Sequence, residues 1–247
     1  MTNHRCCHGL PGSLQTGGEK YILPPDRMSA VREAMEGRMV LDKYGLSEIR
    51  NLYCDTPSWI LARRSIEKPV YKEKVRVRSY GPASGEDTVF LELKKKYDGI
   101  VYKRRMALPC TEAMDWIAGG HAPDMHSQIK DELEYTIGRY GDLRPMMYLA
   151  YRREAYASTD GDGFRLTLDT DITARLDGMD LSGPPSGTRL LPEGYTLMEL
   201  KIKGAIPMWL VDAMSASGIH KESFSKYGNA YKALVMGHPY IPRTEEA

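Results

Sequence analysis

The residues that carry chemistry come in rows. Lys74, Arg76 and Arg78 alternate with Val75 and Val77, and Glu92, Lys94 and Lys96 oppose Leu91 and Leu93. Lys103 and Arg105 share a face on the next stretch, as do Arg165, Thr167 and Asp169, then Glu199, Lys201 and Lys203. A period of two is that of a β-strand, whose side chains point alternately to opposite faces. One charged row belongs in water. Five rows, mostly basic, with helices available to cover the apolar faces, describe a broad basic surface on an open sheet or the lumen of a closed one. Arg76, Arg78, Lys94, Lys103, Arg105, Arg165 and Lys201 facing one lumen repel strongly where water is scarce. Glu92, Asp169 and Glu199 are too few to balance them. The remainder calls for a polyanion with several phosphoryl groups, because Arg grips phosphate oxygens in a fork and Lys adds a compact charge.

Glu199 is the carboxylate singled out by position. It lies in Met198-Glu199-Leu200-Lys201, between basic neighbours of its own strand face. It is either one half of a salt bridge or a ligand for Mg²⁺ or Mn²⁺, which need only one or two protein carboxylates when phosphates supply the rest. Other catalytic signatures are absent: no phosphate-binding G-x-x-x-x-G-K-[ST] loop, no G-x-G-x-x-G and no G-x-S-x-G. His121, His126 and His220 read as surface residues. His4, Cys6, Cys7 and His8 match no structural zinc spacing, and the Gly, Pro and Ser that follow favour an N-terminal extension.

The whole chain sets the bounds. It has 247 residues, with Lys+Arg 34 against Asp+Glu 33, a formal net charge of +1. That balance argues against a general nucleic-acid coat protein, as does an expected lack of aromatic residues interleaved with the basic rows. Mean hydropathy is −0.46, and no apolar run approaches the ~18 residues of a membrane span. Residues 1–14 lack the apolar stretch of a secretion signal. The four cysteines, Cys6, Cys7, Cys54 and Cys110, form no disulfide framework, so a reducing, cytoplasmic compartment is expected.

The elements that must position these rows follow from periodicity. Strands are expected over 20–23, 49–54, 74–80, 88–96, 100–108, 146–157, 164–169 and 196–203, with 171–176 continuing the seventh after a kink. Asp98-Gly99 marks a hairpin turn. Helices are expected from an Asp26 N-cap through Met28, Val31, Met35 and Met39, and over 59–64, 111–118, 124–140, 208–217 and 223–236. Residues 178–194 read as a loop. Residues 1–18 are expected to be a disordered extension, 19–237 one domain, and 238–247 a tail.

Seven stretches in order carry a resemblance: NLYCDTP at 51–57, KVRVRSYG at 74–81, LELK at 91–94, YRREAY at 151–156, RLTLDT at 165–170, MELK at 198–201 and SFSKY at 223–227. The chain resembles the catalytic domain of the vacuolar transporter chaperone (VTC) polyphosphate polymerases, in the triphosphate tunnel metalloenzyme superfamily. The resemblance implies an α+β fold, a closed antiparallel β-barrel tunnel with helices packed outside. It implies that Arg76, Arg78, Lys94, Lys103, Arg153 and Arg165 hold a nucleoside triphosphate or polyphosphate, and that Glu199 holds Mn²⁺ or Mg²⁺. Lys20, Ser225 and Lys226 match further phosphate-contacting positions, and strand parity adds Arg105 and Lys201. One departure stands out: the family's first strand carries an acidic residue two positions before its Lys, and here that position is Gly18, with Glu19 beside it. Either the strand is rearranged or that end grips its ligand less tightly. The implied activity is a metal-dependent phosphotransferase acting on ATP and polyphosphate. Hydrolysis of tripolyphosphate or nucleoside triphosphates, and non-catalytic binding of polyphosphate or inositol phosphates, are the alternatives.

Overall fold

The computed structural model describes residues 17–242. The His4, Cys6, Cys7 and His8 cluster lies outside them. In chain order the elements are β1 (Gly17–Leu23), α1 (Pro25–Met35), β2 (Met39–Asp55), α2 (Ile60–Glu67), β3 (Tyr71–Tyr80), β4 (Thr88–Tyr97), β5 (Ile100–Pro109), α3 (Cys110–Ile117) and α4 (Gln128–Tyr140). They continue with β6 (Arg144–Ser158), β7 (Arg165–Arg175), β8 (Thr188–Arg189), β9 (Thr196–Ile202), α5 (Met208–Ala216) and α6 (Lys226–Leu234).

Local chemistry explains the boundaries. Asp98 and Gly99 take φ of 43° and 82°, the pair of positive values that a tight hairpin turn needs. Asp171 at φ 51° makes the kink in β7, beside a bulge in its pairing with β6. α1 departs from expectation: Pro24 is its N-cap, Pro25 opens the helix and Asp26 lies in the first turn, where Pro is tolerated and a carboxylate meets the positive helix end. Strand pairing begins at Gly17, ahead of the expected start at Glu19. Asp55 explains much of the 51–57 stretch. Its buried carboxylate accepts from the backbone N–H groups of Thr56, Leu61 and Ala62 and from the Tyr227 hydroxyl. One side chain therefore ties the end of β2, the start of α2 and α6 together.

All strands belong to one antiparallel sheet in the order β1-β9-β7-β6-β2-β3-β4-β5, with β8 on β7. Val75, Val77, Leu91 and Leu93 are fully buried on its outer face in a core that also holds Leu61, Ala113, Trp116 and Leu133 of α2, α3 and α4. A second apolar cluster joins α1 and α5 to β1, β7 and β9. Burying one such side chain stabilises by ~1.5–3 kcal/mol, more than the ~0.2–1 kcal/mol of an exposed ion pair. The apolar parity therefore sets which way each strand faces, and the charged parity has to follow.

The closed barrel expected from the sequence is corrected to an open sheet. Among the described residues β1 and β5 do not pair. The free edge of β1 is already used: Tyr21 bridges Lys221, and the Glu222 N–H donates to the Lys20 carbonyl at 2.8 Å. The segment ahead of α6 thus occupies the edge that closure would require. The sheet still curls over itself, because Lys20 on β1 lies close enough to Lys74 on β3 and Lys94 on β4 to depress the pKa of both.

Candidate functional site

The registers bring the predicted rows side by side on the inner face. Lys74, Lys94 and Lys103 form one rank across β3, β4 and β5, and Tyr53, Arg76, Glu92 and Arg105 form the next across β2 to β5. On the other half, Thr167, Glu199 and Lys20 make a rank across β7, β9 and β1, with Arg165, Lys201 and Gly18 beyond it. Arg153 on β6 lies opposite Asp169 on β7. The result is a basic groove with two acidic poles.

The first pole is Glu92, whose residue is 2% exposed. Its Oε2 takes Arg76 at 2.6 Å and lies 3.9 Å from Arg78, and its Oε1 takes Arg105 at 2.5 Å and Lys103 at 3.1 Å. Burial pushes this carboxyl up, but Arg76, Arg78 and Lys103 outweigh it and hold it well below the usual carboxylate range. Arg78 is oriented from β2, where its Nε donates to Asn51 Oδ1 while Asn51 Nδ2 donates to the Leu149 carbonyl.

The second pole is a carboxylate pair. Asp169 is fully buried and holds Arg153 at 2.5 Å and Lys226 at 2.5 Å. Glu199 takes Lys226 at 3.0 Å, Lys20 at 3.2 Å and Arg153 at 3.7 Å, and its side chain keeps 19% exposure. Burial raises the Glu199 pKa, yet Lys226, Lys20 and Arg153 pull it well below normal. Burial lowers the pKa of Lys226, but Asp169 and Glu199 raise it above the ordinary lysine value.

Several lysines of the groove are disfavoured as ammonium ions. Lys94 is reachable by water yet sits within the groove. Desolvation, then repulsion from Lys20 and Arg76, brings its ammonium down to about 8. Lys103 falls to about 8 through desolvation in spite of Glu92. Lys201 is lowered by desolvation and by Arg153 and Arg165, the latter directly across the strand pair. Ser225 faces the groove differently from expectation. Its Oγ caps α6 by accepting from the Gly228 N–H and also accepts from Lys74 Nζ at 3.0 Å. Gly18 is on the inner face opposite Lys201, in regular register. Glu19 points the other way, to Lys221 at 2.6 Å and the Tyr21 hydroxyl. The strand is not rearranged, and Glu19 does not stand in for the family's acidic residue.

Lys74, read in one row with Arg76 and Arg78 but left out of the phosphate-holding set, belongs to the groove as fully as Arg76. The inner face also carries aromatic residues, against expectation. Tyr53 stacks on Tyr227 with centroids 4.3 Å apart, Arg76 lies over Tyr53 at 5.7 Å, and Arg153 and Lys226 lie over Tyr151 at 5.2 and 4.7 Å. Tyr151 shares its strand face with Arg153, but Arg76 meets Tyr53, and Lys226 meets Tyr151, only across the fold. The tyrosines are buried beneath the cations, where they hold guanidinium and ammonium groups through the ring faces and offer no open platform for a base.

Comparison with known proteins places this groove in a family. The VTC domain model matches residues 15–235, and the chain belongs to the VTC domain family. Vacuolar transporter chaperone complex subunit 4 of Trypanosoma brucei brucei is 23% identical over 235 residues, covering 79% of this chain and 29% of that protein. The chain thus spans under a third of the length of this relative. Among solved structures, a candidate adenylate cyclase from Bacillus halodurans matches with TM-score 0.53 at 13% identity, over 85% of this chain and 93% of its own. That likeness concerns the fold. A candidate adenylate cyclase from Vibrio parahaemolyticus reaches a TM-score of 0.42 at 11% identity, over 89% of this chain and 97% of its own, too slight to bear on the argument. Among the described residues no helix is long and apolar enough to cross a membrane.

Proposed function

We propose that the groove is the active site of a polyphosphate polymerase, in which the γ-phosphoryl of ATP passes to the end of a growing polyphosphate chain and ADP leaves. The observation that carries this reading is the placement of Lys20, Arg76, Arg78, Lys94, Lys103, Arg105, Arg153, Arg165 and Lys201 on one inner face, most of the carboxylate there being already engaged. Membership of the VTC domain family supports it. A bound chain bridging the two rims would complete the tunnel that the sheet leaves open between β1 and β5.

Phosphoryl transfer asks mainly for positioning and charge stabilisation. The P–O bond to the ADP oxygen breaks as a new bond forms to a terminal oxygen of the acceptor chain, with no side-chain nucleophile. Arg76 and Arg78 stand two residues apart, ~6.6 Å at ~3.3 Å per residue, a span for neighbouring phosphoryl groups. Arg76 is held ready by Glu92 and Tyr53, and Arg78 by Asn51 and the Tyr151 hydroxyl. Lys74, Lys94 and Lys103 all gain from an anion, since it favours their charged forms.

The residues fit a divalent cation carried by phosphates. Such an ion needs one or two carboxylates. Glu199 is partly open to the groove, and across from it the Thr167 hydroxyl is buried without a hydrogen-bond partner. Among the described residues no group of three acidic, His or Cys side chains makes a cage, so the ion would depend on its phosphate ligands. Bound there, it would neutralise charge on the transferring phosphoryl group. Lys20 and Lys226 would then be released from Glu199 towards phosphate oxygens.

Incubation with ATP and Mn²⁺ should give a ladder of polyanions on a gel with matching ADP. Orthophosphate without a ladder would replace polymerisation by hydrolysis. Tight polyphosphate binding indifferent to EDTA, with no turnover, would leave only a binding module. Glu199→Gln should lower turnover ~10²-fold or more while metal-free polyphosphate binding persists or tightens. A near-normal metal-dependent rate would remove Glu199 from the site.

A further inference from the structure

The groove does not end at Lys74. Beyond it, between the end of α2, the start of β3, the β4–β5 turn and the first turn of α6, is a cavity of about 610 Å³. Lys68, Lys72, Lys74, Lys96 and Lys232 line it, and Asp98 is the sole carboxylate among its lining residues. Burial lowers the Lys72 ammonium, and Lys96 and Lys68 lower it further. Burial lowers Lys74 strongly, with Lys94, Lys20 and Lys72 adding to it.

Two more observations point to a ligand. Ser65 and Asn229 also line the cavity and are at least nine-tenths buried, and Ser65 Oγ and Asn229 Nδ2 have no hydrogen-bond partner. A buried polar group left unpaired is destabilising, so a ligand with acceptor oxygens that reached them would stabilise both. Both can donate. The positive end of α6 faces the same space, since Ser225 and Gly228 form part of the wall. Donors, ammonium groups and a helix N-terminus all call for an anion. A neutral ligand would leave the lysines repelling one another, and a cation would add to the repulsion.

The length of that anion follows from Lys74, which belongs to both places. It lies in rank with Lys94 and Lys103 in the groove and on the cavity wall. A linear polyanion leaving the groove past Lys74 therefore meets Lys72 and Lys96 next. We propose that the cavity is a second anion subsite, holding phosphoryl units of a polyphosphate chain that extends beyond those gripped between the two acidic poles. This rests on the polyphosphate reading above and adds to it a preference for long chains.

The test is titration calorimetry at matched ionic strength, with tripolyphosphate and a medium-length polyphosphate as probes, on the full chain. Lys68→Ala combined with Lys96→Ala, and separately Asn229→Leu, should weaken the long chain by about tenfold and change tripolyphosphate by less than about twofold. The lysine variant removes like-charge repulsion, so a folding failure of Asn229→Leu would still leave a result. Equal weakening of both probes would mean a diffuse field and overturn the subsite, as would no change in either. If the unaltered protein fails to bind tripolyphosphate at all, the polyphosphate reading itself falls and the subsite falls with it. Binding of tripolyphosphate with no variant effect would remove the subsite alone.

Discussion

The two acidic poles look alike in sequence and differ in structure. Glu92 and Glu199 each sit two residues before a lysine on the inner parity of a strand. Glu92 stands alone, buried, and serves Arg76, Arg78, Lys103 and Arg105 at once. Glu199 shares its load with Asp169, which is fully buried and takes both Arg153 and Lys226. The second carboxylate frees the first. Glu92 is an anchor whose every oxygen is committed, whereas Glu199 is partly open and bound mainly to the two ammonium groups of Lys226 and Lys20. A carboxylate in a basic groove is thus available for ligand chemistry only where a neighbour carries the structural charge.

Removing the anchor should have the largest effect. Breaking a buried charge pair costs ~3–5 kcal/mol, and ~1 kcal/mol moves the melting temperature of a chain this long by ~2–4 °C. Glu92→Gln should therefore lower it by roughly 10 °C, and Glu199→Gln by far less, because Asp169 still holds Arg153 and Lys226. Equal losses in thermal melts would break the comparison between the poles.

Next in size is the response to ligand. An anion that binds only the folded state stabilises it by RT ln(1 + [L]/Kd), ~2.7 kcal/mol at a hundredfold excess. Tripolyphosphate should raise the melting temperature by several degrees and orthophosphate by much less, with high salt eroding the gap. The gain should be larger in Glu92→Gln, where four cations lose their shared carboxylate. A flat series across orthophosphate, pyrophosphate and tripolyphosphate would refute the polyanion reading.

A smaller effect follows from Lys94 and Lys103, both near 8 in the folded protein against the usual 10.5. The unfolded chain holds these protons to higher pH, so their penalty on stability is full below about 8 and is relieved as pH rises towards 10.5. Anion binding has the opposite sign, since it favours the charged form and takes up protons. Tripolyphosphate affinity should fall as pH rises from 7 past 9, with proton uptake visible as a buffer-dependent heat. Lys94→Arg should flatten that profile. An unchanged profile would take Lys94 out of the binding set.

The smallest change concerns the first strand. A Cβ built at Gly18 meets nothing within 4 Å, and the position lies opposite Lys201. Gly18→Glu should fold with little change in melting temperature and weaken metal-free tripolyphosphate binding modestly, by pairing with Lys201. A steep loss of stability would show that this end of the groove is more crowded than the backbone implies.

Much of the inner face was legible before any coordinates. The parity of residues 74–78, 92–94, 165–169 and 199–201 gives the charged residues the face that the registers show, because Val75, Val77, Leu93, Leu166, Leu168 and Leu200 between them are buried. At 103–105 the residue between is Arg104, which pairs with Glu132 on the other side. Helix limits were less legible where the cap was unusual: α1 is opened by Pro24 and Pro25 rather than by Asp26. The packing of the tyrosines under the groove was less legible. Tyr151 and Tyr227 lie within two residues of Arg153 and Lys226, but no window shows that Tyr53 lies under Arg76, that Tyr227 stacks on Tyr53 or that Lys226 lies over Tyr151.

The chain alone determined that strands with one apolar and one basic face exist, since a pattern of period two is local and burial energy enforces it. It determined the excess of cation over anion within those rows, on which the proposal of a polyanionic ligand rests. Only the tertiary structure decided whether the sheet closes. Pairing between β1 and β5 is a contest between distant segments, and residues 221 and 222 win the edge of β1. It alone decided as well which carboxylate is spoken for. That depends on how many cations converge on each oxygen, a sum over strands far apart in sequence, and it leaves Glu199 partly open while Glu92 and Asp169 are closed.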